Sequence, residues 1–264
     1  MIVRDMPDGR LLCMHQTSHA LTAEQFCRHW GNADFAKPRP YSPTILAISQ
    51  HDNGWYDWEL CPKLRDDGVP MDFLRNPDHA GKLDLWRLGI SRTLEQHPYA
   101  GLLVSRHASL LYQDALASSS YDEHNLELTK QFLADQDAVS ERVRARLGHD
   151  SFLGPALAPE VVDANSRLLQ FGDRASLQVS IPWGRDYVHP ICPVDWAGSY
   201  TAIRMRFDDE CITFDPWPYG VDEFHVHLYG LLLDQRTFPD EAAYHAALAE
   251  AKYFRHTWTV HRGL

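Results

Sequence analysis

The stretch PTILAISQHDNG, residues 43–54, joins an apolar segment to the doublet His51-Asp52 and a glycine. The apolar part is long enough for a helix that ends near Gly54, although its β-branched residues leave a strand open as the alternative. The doublet places an imidazole beside a carboxylate, and both groups bind transition metals. These residues are therefore the starting point for predicting the fold and the site.

Further candidate ligands flank the doublet in chain order. His19 lies on the helix predicted before it, and His79 and His107 belong to the two helices predicted after it. Asp173 follows much later, within the helical segment FGDRASL, residues 171–177. The chain contains 15 histidines, and histidine is the commonest metal ligand in proteins. The order of these four positions around the doublet is the pattern that favours a metal centre.

This order resembles the HD-domain superfamily of metal-dependent hydrolases and oxygenases. The match covers roughly residues 15–180, favours a helix at residues 43–54, and rests on five pieces: Ser18-His19-Ala20, His51-Asp52-Asn53-Gly54, His79-Ala80-Gly81, Arg106-His107 and Asp173-Arg174-Ala175-Ser176-Leu177. Three longer strings look like an uncharacterised bacterial family placed near that superfamily, and these span most of the chain: HDNGWYDW (51–58), LVSRH (103–107) and DPWPY (215–219).

The resemblance implies a ligand set for each of two metal ions. The first ion would be held by four residues: His19, His51, Asp52 and Asp173. Asp52 would bridge to a second ion, whose set is completed by His79 and His107. Nitrogen and oxygen ligands suit one or two divalent ions of Fe, Mn, Ni, Co or Zn.

Some of these positions have competitors in the sequence. His97 is an alternative to His79, and His15 or His29 is an alternative to His19. Many hydrolases of the superfamily carry a lysine near the doublet, where this chain has Trp55, Tyr56 and Trp58. A cation for an anionic substrate would then come from elsewhere: Lys82, Arg87, Arg92, Arg106 or Arg174.

Three residues are predicted to be catalytic. Asp52 positions the metal ions, Arg106 binds the anionic part of the substrate, and Tyr56 shapes the substrate site or serves as a transient metal ligand. The predicted function is a metal-dependent hydrolase of a phosphoester or nucleotide-like small molecule, with a metal-bridging hydroxide as nucleophile. The alternatives are a non-haem di-iron oxygenase on the same ligands and a non-catalytic metal-binding scaffold.

The composition limits the partners. Thirty-six acidic residues against 25 basic ones give a net charge of −11, which argues against a nucleic-acid polymer as partner. No apolar run is long enough to cross a membrane, and the beginning lacks the apolar core of a signal peptide. Five scattered cysteines without a CxxC pair are typical of a reducing compartment. We expect a cytoplasmic protein with a small-molecule substrate, and a sheet edge compatible with a homodimer.

The periodicity predicts a mainly α fold. Helical patterns run to about residue 180, whereas residues 199–207, 211–214 and 224–229 alternate apolar and polar side chains as half-buried strands do. The expected fold is an HD-domain-like helical bundle with a small C-terminal antiparallel β-sheet, α+β overall. Residues 1–180 would form the metal-binding helical body, and residues 181–264 a small sheet plus helix packed on it as one unit.

Overall fold

The computed structural model describes residues 1–118 and 121–263. Seven strands form one sheet: β1 (Ile2–Asp5), β2 (Leu11–Met14), β3 (Asp186–Pro193), β4 (Tyr200–Phe207), β5 (Cys211–Asp215), β6 (Glu223–Leu233) and β7 (Lys252–Arg262). The described residues also form eight α-helices: α1 (Gln16–Cys27), α2 (Tyr41–Gln50), α3 (Tyr56–Leu60), α4 (His79–Gln96), α5 (Pro98–Ser118), α6 (Glu123–Leu147), α7 (Pro159–Ser180) and α8 (Glu241–Glu250). Short 3₁₀ turns lie at Asn53–Trp55 and Gly154–Leu157.

The sheet is mixed and runs in the order β1-β2-β6-β7-β5-β4-β3. Every neighbouring pair is antiparallel except β5 and β7, which pair in parallel. The two N-terminal strands join it through β2, whose Leu11 lies opposite Leu233 of β6. All four residues of β2 are buried, because the main core covers one face of the strand and a second apolar cluster with Tyr244 of α8 covers the other.

The prediction of a mainly α fold with a small C-terminal antiparallel sheet is wrong, although the chain is α+β overall. Two of the seven strands come from residues 2–14, and one pair is parallel. Alternating polarity identifies a strand but not its neighbours, since pairing depends on contacts between distant parts of the chain. Helix α7 ends at Ser180, where the helical body was expected to end, but the sheet extends across that boundary.

Local sequence explains where several helices begin. Asp78, Asp122 and Asp240 precede α4, α6 and α8, and each carboxylate accepts a hydrogen bond from a backbone N–H of the first turn. Helix α7 begins at Pro159, where the missing N–H of proline costs no helical hydrogen bond. These local signals set the residues at which the four helices begin.

Four helices converge on one buried region. Helix α1 packs against α2 and α7, and α5 packs against both α2 and α7. The main core is continuous from these helices into the sheet, with Phe26 of α1 and Phe171 of α7 both packed on Phe214 of β5. No described helix combines the length and apolar character that a membrane crossing requires.

Candidate metal centre

A cluster of three histidines and two aspartates lies where α1, α2, α5 and α7 meet. Nε2 of His19 is 2.9 Å and Nε2 of His51 is 3.5 Å from Oδ1 of Asp173. Oδ2 of Asp52 lies 3.7 Å from Nε2 of His19 and 3.5 Å from Nε2 of His51. On the far side, Nε2 of His107 is 3.6 Å from Oδ2 of Asp173. The five side chains therefore surround one small volume.

His51 and Asp52 both reach this volume because the backbone changes direction between the two residues. His51 keeps helical dihedral angles at the end of α2, whereas Asp52 turns to φ −103° and ψ 18°, a sparsely populated region of backbone space. The next turn is pressed against α4, because a Cβ atom on Gly54 would lie 1.9 Å from the carbonyl oxygen of Leu85. Glycine at position 54 therefore permits the close approach that holds the doublet in place.

The start of α1 is fixed by a buried carboxylate. Both oxygens of Glu59 accept hydrogen bonds from the backbone N–H of Gln16, at 2.8 and 3.1 Å. The N-cap residue His15 contributes no side-chain hydrogen bond there. Glu59 thus satisfies an N–H that the helix cannot satisfy itself, and it sets the position of His19 one turn later.

Hydrogen bonds on the outer side of two imidazoles determine which nitrogen faces the cluster. Nδ1 of His51 is 2.8 Å from the carbonyl oxygen of Ile48, which only accepts, so Nδ1 carries the hydrogen. Oγ of Ser176 lies 2.7 Å from Nδ1 of His19 and 2.9 Å from the carbonyl oxygen of Asp173; when the hydroxyl donates to that carbonyl, Nδ1–H of His19 donates to Ser176 Oγ. With the ring hydrogen on Nδ1, each imidazole is oriented to present Nε2 to a metal ion, as metal-binding histidines do.

The charges of the cluster call for a cation at its centre. Nε2 of His19 is within hydrogen-bond distance of Asp173 Oδ1, and Nε2 of His51 also faces carboxylate oxygens, so each contact needs a proton or a metal ion between the two atoms. Without a metal, a proton takes that role: burial opposes it, but Asp52 and Asp173 raise the pKa of His51 to about 9. Burial also favours protonation of Asp173, yet the two imidazoles hold the pKa of that carboxyl well below its usual range.

The third histidine of the cluster is His107, on α5. It is fully buried, and burial lowers its pKa to about 3, so its imidazole is neutral at ordinary pH. Neither of its ring nitrogens has a hydrogen-bond partner among the described residues, and Nε2 of His51 also lacks one. Buried polar atoms are normally satisfied, so these nitrogens, which lie beside carboxylates, are suited to binding a metal cation.

The spacing of the donor atoms suits a single ion. Neighbouring ligands about 2.0–2.2 Å from a metal lie roughly 2.8–3.6 Å from one another in octahedral or tetrahedral geometry. The contacts in the cluster range from 2.9 to 3.7 Å. The tightest group is His19, His51 and Asp173, whose donor atoms all lie within 4.8 Å of one another. The residues present therefore fit a divalent transition-metal ion.

The cluster forms the floor of an open cavity of about 300 Å³. Its walls are mainly apolar and aromatic, and its lining beyond the cluster consists of Gln16, Trp55, Phe73, Leu74, Lys82, Trp86, Leu111, Tyr112, Ala115 and Leu177. Trp86 lies directly against the cluster, with its ring 5.7 Å from that of His107. A cavity of this size and character is typical of a site for a small molecule.

Three of the predicted site residues are not brought to this cavity. His79 lies seven residues before Trp86 on α4, about 10 Å along the helix, and its Nε2 is 2.9 Å from Thr129 Oγ1. Arg106 is next to His107 but about 100° around α5, so it lies near Asp163 at 3.8 Å and lines another cavity. Tyr56 is 52% exposed and does not line the cavity.

The alternative histidines also lie away from the cluster. His97 is the single residue between α4 and α5, where its Nδ1 accepts a hydrogen bond from the backbone N–H of Tyr99. His15 precedes α1, and His29 follows it with its ring against Phe224. The structure therefore groups His19, and none of these three, with the doublet.

Two functional candidates were missed by sequence reasoning. Ser176 supports His19, and the signal for it is its spacing of three residues from Asp173 on one helical face. Gln16 lines the cavity with its Oε1 buried and unpartnered among the described residues, and its spacing from His19 is also three. Lys82 was one of five candidate cations, and it is the one that lines the cavity.

We expect Ser176→Ala to weaken the retention of a divalent ion by about 10–100-fold, as loss of an outer-shell partner of a metal-binding histidine does. The reason is that His19 would lose the acceptor that keeps its proton on Nδ1. Zinc affinity measured by competition with a chromogenic chelator tests this. Ser166→Ala is the matched control, because Ser166 is buried on the same helix and bonds only the helix backbone, at Val162. Equal zinc affinities of the two variants would contradict the assignment.

Comparison with known proteins places the chain in a family. Residues 1–235 match the family described as "Protein of unknown function (DUF3891)", and the chain belongs to that family. No curated protein and no solved structure matches it. The prediction of an uncharacterised family is confirmed, and the relationship to the HD-domain superfamily stays a prediction.

Proposed function

We propose that this member of the DUF3891 family is a metal-dependent hydrolase of a small phosphoester-like molecule, and that the HD-type resemblance reflects a common metal site. The observation that carries the proposal is the buried cluster of three histidines and two aspartates at the floor of a cavity open to solvent. We propose one ion per chain, because five donors surround one volume and His79 lies about two helical turns from Trp86 along α4, away from these donors.

In this proposal His19, His51 and Asp173 hold the ion, and His107 completes the set from the opposite side. A bound divalent ion would polarise a phosphoryl oxygen and acidify a water molecule. Asp52 lies beside two of the ligands and lines the cavity, so its Oδ2 atom is placed to take a proton from an incoming water or to serve as a further ligand. The apolar walls exclude bulk water from the reacting group.

The test combines elemental analysis with turnover. We expect about one divalent ion per chain, and hydrolysis of bis(p-nitrophenyl) phosphate or p-nitrophenyl phosphate that Asp52→Asn reduces by about 10²–10⁴-fold, the usual contribution of a general base. Arg106→Ala is the control and should leave both readouts unchanged, since Arg106 lines a different cavity. Activity that persists unchanged in Asp52→Asn would refute the assigned role of Asp52.

A second candidate is a mononuclear non-haem iron oxygenase. His19, His51 and Asp173 form a set of two histidines and one carboxylate, which is the ligand set of many Fe(II) oxygenases. Iron in anaerobically purified protein, together with oxygen consumption and no phosphoester hydrolysis, would favour this candidate over the hydrolase. An ion without either activity would favour the non-catalytic scaffold.

A further inference from the structure

The paired helices α4 and α5 define an axis along the walls of the cavity. The two helices are joined by one residue and run antiparallel, because Trp86 contacts His107 while His79, earlier on α4, contacts Tyr112, later on α5. Moving from the cluster toward the start of α4 is therefore the same as moving toward the end of α5. Both helices lead from the floor of the cavity to its mouth.

Lys82 lies one helical turn along this direction from Trp86, the α4 residue that packs on His107 of the cluster. It precedes Trp86 by four residues on the same face of α4, a displacement of about 6 Å along the helix axis. The antiparallel pairing places it at the level of Leu111, one turn beyond His107 on α5. It shares the cavity lining there with Leu74, which is 52% exposed and therefore marks the rim.

The charge of Lys82 is not neutralised by the protein. In the described part of the chain its ammonium group forms no ion pair within 4.0 Å; Asp72 and Asp78 act on it only from a greater distance. Both carboxylates already accept hydrogen bonds from the backbone. Asp72 accepts from the N–H groups of Val3 and Leu74, and Asp78 accepts from the N–H of Gly81. Partial burial lowers the pKa of Lys82, as expected for a cation that has lost water without gaining a partner.

The surface between the cluster and Lys82 is apolar. Trp86 and Leu111 form the two helical walls, and Trp55 and Phe73 lie edge to face on another side of the same cavity. Aromatic side chains of this kind pack favourably on a ring or another flat apolar group. Along its length the cavity therefore offers a metal site, an apolar section and then a single cation.

We propose that the site takes a small molecule with two separated polar ends. One end reacts at the metal centre, an apolar and preferably aromatic body lies along Trp86 and Leu111, and a carboxylate or phosphate group at the far end binds Lys82. Lys82 is then a specificity-determining residue for a remote anionic group rather than a group that contacts the reacting atoms. This inference rests on the proposed function for the metal-bound end only.

The experiment uses the full-length, metal-loaded protein and two probes that differ at one end. Benzohydroxamate chelates metal ions through its hydroxamate, and 4-carboxybenzohydroxamate adds a carboxylate at the opposite end of the ring. Binding is followed by the fluorescence of Trp55 and Trp86, which line the cavity. We expect the carboxylate to strengthen binding to the wild-type protein by at least about tenfold, as a hydrogen bond between charged groups does.

Lys82→Met keeps the length and apolar character of the side chain and removes its charge. We expect it to abolish the advantage of the carboxylated probe while changing the affinity of benzohydroxamate by less than about twofold. Lys63→Met is the control, since Lys63 is exposed and paired with Glu241 outside the cavity. Lys82→Glu should make the carboxylated probe bind more weakly than benzohydroxamate.

The outcomes separate this inference from the proposed function. If the protein holds no metal and binds neither probe, the proposed function fails and this inference fails with it. If metal is retained and both probes bind equally well, or if the carboxylate helps Lys82→Met as much as wild type, the remote anion site is refuted while the metal site stands. Elemental analysis of every variant shows which case applies.

Discussion

Asp173→Asn is expected to abolish binding of the proposed metal ion. The two oxygens of Asp173 face all three histidines of the cluster, with Oδ1 toward His19 and His51 and Oδ2 toward His107. Asparagine has the same shape but brings no charge, and its amide NH₂ would face the donor atoms of the site. The loss of ion affinity should exceed the about 10–100-fold that follows removal of an outer-shell partner.

Elemental analysis of purified wild type and variant measures this effect directly. Asp163→Asn is the matched control, because Asp163 lies on the same helix, is ion-paired with Arg106 and Arg167, and is not part of the cluster. His79→Ala should also retain the ion, since His79 bonds Thr129 instead. If Asp173→Asn is folded by circular dichroism and still contains as much metal as the wild type, the proposed centre is contradicted.

Removal of the ion from the wild-type protein is expected to lower its thermal stability substantially. A ligand that binds only the folded state stabilises it by about 2.7 kcal/mol at 100 times its dissociation constant and about 4.1 kcal/mol at 1,000 times. For a chain of this length each kcal/mol shifts Tm by roughly 2–4 °C. Chelation should therefore lower Tm by roughly 5–15 °C.

Differential scanning fluorimetry with and without EDTA measures this shift, and added zinc or manganese should reverse it. Asp173→Asn serves as the internal reference, because a variant that holds no ion should have the same Tm with and without the chelator. An equal EDTA effect on both proteins would show that the chelator acts elsewhere. A wild-type Tm that EDTA leaves unchanged in protein shown to lose its ion would mean that the ion contributes nothing to folding.

The sequence predicted much of the candidate site because several of its features are local. The doublet His51-Asp52 at the end of an apolar helix and the glycine after it can be recognised from neighbouring residues. Asp173 on a long helix was identified through the order of the ligands along the chain. His19, His107 and Asp173 were assigned by resemblance, and the structure brings them within 4 Å of one another or of the doublet.

Residues whose placement depends on rotation about a helix could not be predicted in the same way. Arg106 is adjacent to a cluster residue in sequence, yet a step of one residue turns its side chain toward a different cavity. His79 and Lys82 lie on the same helix, three residues apart, but only Lys82 lines the cavity. The difference is set by where α4 packs against α5, which involves contacts from both helices.

By itself the sequence predicted the helical segments, the strands with clear alternation, and a candidate centre of imidazole and carboxylate groups. These depend on side-chain periodicity and composition, which act over a few residues. Only the tertiary structure decided that strands β1 and β2 complete a seven-stranded mixed sheet and that five candidate ligands converge from three helices and the turn after α2. It also placed a single lysine at the cavity rim. Such arrangements arise from packing between segments that are more than 200 residues apart, as Leu11 and Leu233 are, and no local pattern encodes which segments will meet.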